Sequence, residues 1–193
     1  MNLTFLGDAL DHWKGSLLES LQVARILRNL AVDPMASDLL AWKPEDFEVL
    51  ARLLRINPCQ IIRHVVTLKD RRKYFDEIRH PDDVFLDPDI GIATGRIRQR
   101  CCYVESNEIE RLLDSFPERL IGVYQHVRGQ QVRSRVDCVL DSLKSRIGNF
   151  SWCSYESASV AMVFLTRKAE RTSQIAEHFK NLLGRHASRR IRC

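Results

Sequence analysis

Two carboxylates separated by a single residue stand out in the middle of the sequence. The run VFLDPDIGIATG places Asp87 and Asp89 directly after an apolar stretch, and Pro88 stiffens the step between them. Such a pair could share a hard divalent cation, or one acid could accept a hydrogen bond from a substrate amine or ribose. Gly91 would let the following loop bend closely around a ligand. The alternative is a tight Asp-Pro-Asp turn whose carboxylates only cap backbone amides.

A second polar group lies near the N-terminus, in FLGDALDHWKGS. Asp8, Asp11 and Lys14 follow one another at i, i+3 steps, which places them on one face of a helix. From that face they could reach the ligand-binding edge of a sheet. The alternative is an ordinary exposed face whose ion pair contributes a few tenths of a kcal/mol.

A third group follows an apolar strand in VYQHVRG. Gln125, His126 and Arg128 come after that strand and before a helix, where polar side chains commonly face a cleft. His126 could act as an acid, a base or a phosphate contact. A loop histidine satisfied by ordinary hydrogen bonds is the alternative.

Several motifs of known chemistry are missing from the sequence. It contains no GxGxxG, no Walker loop, no GxSxG elbow, no HExxH and no zinc-type Cys/His spacing. A Ser-His-Asp hydrolase therefore has no support. The six cysteines show no CxxC pair, and we expect them to be reduced thiols.

The elements that must position these residues alternate along the chain. Helical periodicity predicts helices from Asp8 to about Asn29, from Pro44, across 58–80, over Ser106–Phe116, in the 130s and 140s, and near the end. Short apolar runs between them predict strands. This order indicates one α/β domain over 1–184, a Rossmann-like three-layer sandwich with a mostly parallel sheet. Ligands bind beyond the carboxyl ends of such strands, so Asp33, Asp87, Asp89, Gln125 and His126 should lie along one edge.

Charge is spread unevenly along the chain. Residues 1–96 carry 13 Lys/Arg against 15 Asp/Glu, whereas residues 97–193 carry 17 against 10. The basic C-terminal tail, 185–193, contains four arginines and no acid, and it could meet nucleic-acid phosphates or be a frayed, solvated terminus. No apolar run reaches membrane-spanning length, and charges interrupt the N-terminus too early for a signal peptide, so we expect a cytoplasmic protein with no membrane partner.

The three motifs together resemble a known group of proteins. GDALDHWKG, FLDPDIG and VYQHVRG occur in the order of the GD..D..K, FxDPDxG and YQH elements of uncharacterised bacterial and phage-associated proteins, over nearly the whole chain. More remotely, the Asp-x-x-Lys helix and the strand ending in Asp-Pro resemble the adenine-N6 methyltransferases of large-subunit ribosomal RNA and the three-Cys-motif partner proteins. That resemblance implies a Rossmann-like methyltransferase fold, with Lys14 and Asp87 carried over and Asp87 near the acceptor amine.

Three functions remain open at this point. The first is a methyltransferase-like enzyme using S-adenosylmethionine on nucleic acid, with Asp87 at the acceptor and Gln125, His126 and Arg128 lining the cleft. The second is a magnesium-dependent phosphoesterase or nuclease with Asp87 and Asp89 as metal ligands, helped by Asp8 or Asp11, and with His126 or Lys14 stabilising charge. The third is a non-catalytic module on the same fold that binds nucleic acid or protein through its basic second half.

Overall fold

The architecture is that of an α/β protein with helices on both faces of one mixed sheet. The computed structural model describes residues 1–36, 42–63, 71–78, 83–95, 100–127 and 131–193. Within them the sheet contains β1 (Ala31–Asp33), β2 (Val84–Leu86), β5 (Leu120–His126), β6 (Ser151–Glu156), β7 (Val160–Thr166) and β8 (Ile191–Arg192). The order across the sheet is β1-β2-β5-β7-β6-β8. A separate pair, β3 (Gly91–Ile92) and β4 (Tyr103–Val104), is parallel.

The parallel part of the sheet is narrower than the sequence predicts. β1, β2 and β5 run parallel, whereas β7, β6 and β8 continue the sheet with antiparallel pairing. The reason is the short link 157–159 between β6 and β7, since a tight hairpin joins antiparallel strands and a parallel pair needs a long crossover.

Six α-helices in the described residues cover the two faces. They are α1 (Ala9–Val23), α2 (Pro44–Leu54), α3 (Arg71–Glu77), α4 (Ser106–Ser115), α5 (Val132–Lys144) and α6 (Ala169–Leu183). Side chains of α1, α2 and α6 share one core with Phe85 and Phe164 of the sheet. Side chains of α3, α4 and α5 share a second core with Leu86 and Val163. Alternate residues of each strand thus point into opposite cores, as a sheet covered on both faces requires.

The elements differ from the predicted ones in three places. The first helix ends at Val23 and not near Asn29, because Arg25 and Asn29 adopt positive φ angles that a helix cannot contain. The predicted helix over 58–80 is present only as α3 and a short 3-10 turn, Pro58–Gln60, with 64–70 and 79–80 outside the described residues. The segment 185–193 is part of a folded unit: a 3-10 turn over Gly184–Arg189 leads into β8.

Candidate functional site

The carboxyl ends of the three parallel strands carry the predicted polar residues. Asp33 ends β1, Asp87 follows β2, and Gln125 and His126 end β5. The Asp87 N–H donates to the Asp33 carbonyl at 2.9 Å, which continues the β1–β2 ladder past its last pair. These residues lie along one edge of the sheet, as the strand order predicts, and this edge is where open α/β sheets bind ligands.

The centre of this edge is a buried ion cluster formed by Asp11, Lys14 and Asp87, which we name the Lys14 cluster. Lys14 Nζ lies 2.8 Å from Asp11 Oδ1 and 2.7 Å from Asp87 Oδ2. The three residues are 1%, 4% and 2% exposed, in chain order. Lys14 Nζ also lies 4.6 Å from the centre of the Tyr124 ring, a cation–π contact. The first two sequence motifs therefore meet in one charged contact, with a β5 residue packed against it.

Local hydrogen bonds explain why α1 presents Asp11 and Lys14 to the sheet. Asp8 caps the helix by accepting hydrogen bonds from the N–H groups of Leu10 and Asp11, at 2.8 Å and 3.1 Å. Asp11 Oδ2 accepts a further bond from the Gly7 N–H at 2.9 Å. Asp8 is thus a capping residue, and the i, i+3 step from Asp11 carries Lys14 to the strand ends.

Neighbouring charges raise the pKa of Lys14, and burial raises the pKa values of two acids at this edge. Burial alone would lower the pKa of Lys14, but Asp87 and Asp11 outweigh it and raise that pKa above its ordinary value. Burial raises the pKa of Asp11, against the opposing effect of Lys14. Burial likewise raises the pKa of Asp33 to about 6, although the Tyr74 hydroxyl donates a hydrogen bond to its carboxylate. The edge holds more negative charge than one lysine neutralises.

Asp89 has different neighbours from Asp87. Its Oδ1 lies 3.4 Å from the backbone nitrogen of Met1, and its charge, second to burial, raises the pKa of Cys102 to about 12. The same Met1 nitrogen donates hydrogen bonds to the carbonyl oxygens of Pro34, Met35 and Asp87 at 2.5, 2.9 and 3.1 Å. Met1 therefore covers the ends of β1 and β2, between the two aspartates.

Gln125 and Gly91 fasten the loop that follows Asp87. Gln125 Nε2 donates to the Ile90 and His126 carbonyl oxygens at 3.1 and 2.8 Å, and Gln125 Oε1 accepts from the Ile92 N–H at 2.8 Å. Gly91 has a φ of +124°, and a Cβ at that position would stand 2.4 Å from Gln125 Oε1. Gln125 and Gly91 therefore stabilise the loop of the protein that follows Asp87. His126 is half-buried, with its ring 5.3 Å from that of Tyr124.

The sequence predictions met different outcomes at this edge. The structure brings Asp11, Lys14 and Asp87 into contact, with Asp8 at the start of α1, Asp89 and Gly91 in the segment after β2, and Gln125 and His126 at the end of β5. Arg128 lies outside the described residues. Sequence reasoning missed Tyr74 and Tyr124 as polar partners, because Tyr74 lies on the inward face of a predicted helix and Tyr124 lies in an apolar strand, where both are expected to pack in the core.

The residues at this edge do not fit a divalent metal. Asp87 and Asp89 have separate partners, and a lysine ammonium already lies between Asp87 and Asp11. Across the described residues no group of three or more His, Cys, Asp or Glu side chains could hold a metal ion.

The edge does not fit an adenosyl cofactor at the end of β1 either. The turn after β1, Asp33–Ala36, contains no glycine, and the buried Met35 fills it at a φ of +45°. The Met35 N–H donates to Asp33 Oδ1 at 2.8 Å, so the carboxylate binds its own turn. A cofactor would need a backbone that allows close approach here.

A second feature is the basic segment 184–192, which the structure holds in place. Ala187 and Ile191 are buried, and β8 pairs with β6. Arg185, Arg189 and Arg190 are exposed and form no ion pair with any described residue, although the Arg190 guanidinium donates a hydrogen bond to the Glu156 carbonyl oxygen at 3.3 Å. Arg192 instead pairs with Asp137 and with Glu156, the latter at 3.1 Å. Three cationic side chains thus face solvent from a fixed frame.

A cavity of about 770 Å³ lies elsewhere, beside the outer edge of β1. The segment 57–63 and α3 line it, and Tyr74 is the residue it shares with the surroundings of Asp33. Its lining includes none of Asp11, Lys14 or Asp87.

Comparison with known proteins identifies no family for this chain. No protein-family model and no curated protein matches this sequence. None of the described helices has the length and apolar character needed to cross a membrane.

Proposed function

We propose that this chain is a nucleic-acid-binding protein on a Rossmann-like, methyltransferase-like scaffold, and that it binds through the basic segment 184–192. The observation that carries the proposal is the contrast between two charged regions. The Lys14 cluster is internal and its lysine is fully engaged with its own carboxylates. Arg185, Arg189 and Arg190 face solvent with no acidic partner among the described residues.

Physical chemistry favours phosphate as the ligand of these arginines. A guanidinium group is always charged and presents several donors that match phosphate oxygens. Holding the three side chains on a folded frame reduces the entropy lost when they bind. The excess of 17 Lys/Arg over 10 Asp/Glu in residues 97–193 adds a long-range attraction to a polyanion.

The proposal is tested by fluorescence anisotropy with labelled RNA and DNA oligonucleotides at several salt concentrations. We expect affinity to fall steeply between about 50 and 200 mM salt, because phosphate contacts release counterions. The triple variant Arg185→Gln/Arg189→Gln/Arg190→Gln should bind about tenfold or more weakly, with a shallower salt dependence.

A matched control removes the same charge elsewhere. Arg52→Gln/Arg72→Gln/Lys73→Gln changes three exposed basic residues on α2 and α3. Equal losses in both triple variants would mean that only net charge matters, and an unchanged affinity in the first would overturn the proposal.

A second candidate function is methyl transfer to a nucleic-acid amine beside Asp87, and it would require the adenosyl cofactor to bind elsewhere than at the turn after β1, which the buried Met35 fills. One observation favours it: Lys14 and Asp87, the two positions that the resemblance carries over, are 73 residues apart in sequence and 2.7 Å apart in space. Two catalytic roles proposed from sequence, Asp87 near the acceptor and His126 in the cleft, belong to this candidate.

Thermal-shift titration separates the two candidates. A rise in melting temperature with S-adenosylmethionine or S-adenosylhomocysteine, lost in Asp87→Asn, would favour transfer chemistry. A rise in melting temperature with magnesium or manganese alone, lost in Asp89→Asn, would instead support the phosphoesterase hypothesis. The first proposal expects no change in melting temperature with any of the four ligands, together with salt-dependent binding of nucleic acid.

A further inference from the structure

Two cysteines lie opposite each other where β8 pairs with β6. The antiparallel register pairs Ser154 with Arg192 and Tyr155 with Ile191. Extension of this register by one residue past the end of β8 sets Cys193 opposite Cys153, and the two thiols are hydrogen-bonded to each other. Cys153 and Ile191 pack in the same core. Because side chains alternate between the faces of a strand, Cys193 and Ile191 project to the same side.

The pairing is of the kind in which side chains approach each other most closely. The Glu156 N–H donates to the Arg190 carbonyl at 2.7 Å, so Glu156 and Arg190 form a hydrogen-bonded pair. Alternation along the ladder then makes Cys153–Cys193 a non-hydrogen-bonded pair, whose Cα atoms stand about 4.5 Å apart in regular antiparallel strands. Disulfides form at Cα separations from about 4.4 to 6.8 Å, so a bond here needs little backbone movement.

The two thiols differ in acidity in the way that an exchange reaction requires. Hydrogen bonding from the Cys153 thiol is the main reason that the pKa of Cys193 is lowered to about 7, and Lys180 acts in the same direction. The same interaction, followed by burial, raises the pKa of Cys153. Since the thiolate is the attacking species, the exposed Cys193 is the nucleophile and the buried Cys153 is the resolving thiol.

The adjacent cysteines, Cys101 and Cys102, offer a contrast inside the same chain. Their sulfur atoms lie 3.9 Å apart. Burial and the charge of Asp89 raise the pKa of Cys102 to about 12, which leaves little thiolate there at neutral pH. A disulfide between neighbours in sequence is also strained. Proximity alone therefore does not favour a bond at that position.

We propose that Cys153 and Cys193 form a reversible disulfide that fastens β8 to β6 when the chain meets a low-molecular-weight disulfide, RSSR. The Cys193 thiolate attacks one sulfur of RSSR, whose S–S bond breaks, and the leaving RS⁻ takes up a proton. Cys153 then gives up its proton and attacks the Cys193 sulfur, which breaks the mixed disulfide and releases the second RS⁻, protonated to RSH. Two protein thiols are oxidised and one RSSR is reduced to two RSH.

The bond would tie down the strand that carries the basic segment. It would close a loop of about forty residues containing β7 and α6, and cross-linking a loop of that length restricts the unfolded chain. We expect the melting temperature to rise by roughly 5 °C or more on oxidation and to return with dithiothreitol.

The experiment is oxidation of the full chain with glutathione disulfide, followed by alkylation, intact mass measurement and peptide mapping. Of the six thiols, we expect four to remain alkylatable in a monomer, with one peptide pair linking Cys153 to Cys193. The Cys153→Ser variant should stop at a glutathione adduct on Cys193. The Cys138→Ser variant, which removes an exposed cysteine on α5, should still form the link.

Three results would overturn the proposal. They are six thiols left after oxidation, a link between Cys101 and Cys102, and a disulfide between two copies of the chain on a non-reducing gel. A wild-type adduct on Cys193 that never resolves to the intramolecular link would count against it equally.

Discussion

At the scale of single residues, Lys14 is a buried cation at the carboxyl edge of the sheet. It neutralises two carboxylates that come from α1 and from the loop after β2, and all three residues are buried. A buried ion pair adds little net stability when complete, but removal of one partner leaves an uncompensated charge. The cluster is therefore sensitive to single substitutions.

We expect Lys14→Met to lower the free energy of unfolding by roughly 3–5 kcal/mol at pH 7, since Asp11 and Asp87 would then face each other without a cation. Urea unfolding followed by circular dichroism measures the change. Lys144→Met, an exposed lysine on α5, is the matched control and should leave the midpoint unchanged. A loss below about 1 kcal/mol for Lys14→Met would mean that the acids stay solvated.

The buried Asp33 carboxylate should make the stability of the fold depend on pH. Its pKa rises from 3.8 to about 6 on folding, chiefly through burial. Between those values the folded state holds the proton more tightly than the unfolded chain, so stability falls as pH rises through this window, by about 3 kcal/mol for a shift of this size. We expect the stability of Asp33→Asn relative to wild type to increase from pH 4 to pH 7.

Comparison of the two pH profiles isolates Asp33 from the other acids. Burial also raises the pKa of Asp11 and of Glu108, but these groups titrate in both proteins. Parallel stability profiles for wild type and Asp33→Asn in urea would contradict the assignment.

At the same scale, some contacts between residues of this edge can be predicted from the sequence and others cannot. The i, i+3 spacing of Asp11 and Lys14 and the position of Asp87 after an apolar run place these residues at one edge. Tyr74 and Tyr124 could not be predicted as partners, because a tyrosine on the inward face of a helix or in an apolar strand is consistent with core packing alone. Their contacts with Asp33 and Lys14 depend on how α3 and β5 meet the edge.

At the scale of elements, close contact between α1 and α2 brings Lys14 to the sheet. A Cβ added at Gly15 would stand 2.1 Å from the Leu53 carbonyl oxygen, so only glycine permits this approach. Gly15→Ala would improve helix propensity by up to about 1 kcal/mol in isolation. We expect it instead to destabilise the protein by roughly 1–3 kcal/mol, because the two helices must separate.

Thermal unfolding of Gly15→Ala beside Ser16→Ala tests this contact, since Ser16 is the exposed neighbour on the same helix. The alanine at 16 should be neutral or slightly stabilising. An increase in melting temperature for Gly15→Ala would show that α1 and α2 are farther apart than described.

The same scale shows why the α/β class could be predicted and the sheet order could not. Helix and strand periodicities depend on local residues, and β1, β2, β5, β6 and β7 all fall on runs that read as strands. The direction of β7 and β6 depends on a short link, and the pairing of β8 on contacts formed by Ala187 and Ile191. An arginine-rich end looks like a tail in sequence because its two anchoring residues are too few to give a periodicity.

At the scale of the whole molecule, the sheet is held at both ends by buried charge. The carboxyl end contains the Lys14 cluster. Near the start of β2, Asp83 pairs with Arg171 of α6, with contacts of 2.6 and 2.8 Å. Asp83 also accepts hydrogen bonds from the N–H groups of Arg28 and Leu120. Sequence reasoning missed this pair, because its members are 88 residues apart and neither lies in a motif.

The Asp83–Arg171 pair joins segments from both halves of the chain, so its loss should weaken the whole fold and not one helix. Arg171 also donates to the carbonyl oxygens of Ile26 and Glu118, at 2.5 and 2.7 Å, and Arg171→Met would leave these acceptors and Asp83 without their partner. We expect a loss of roughly 3–5 kcal/mol in the free energy of unfolding, in a transition that remains cooperative.

Lys168→Met, which breaks the exposed pair with Glu118 at the start of the same helix, is the control and should change little. Coincident urea transitions by far-ultraviolet circular dichroism and tryptophan fluorescence would confirm a global effect, because Trp13 and Trp42 pack in the core that α6 completes. Separate transitions would instead mean that α6 detaches alone and that the two ends of the sheet are stabilised independently.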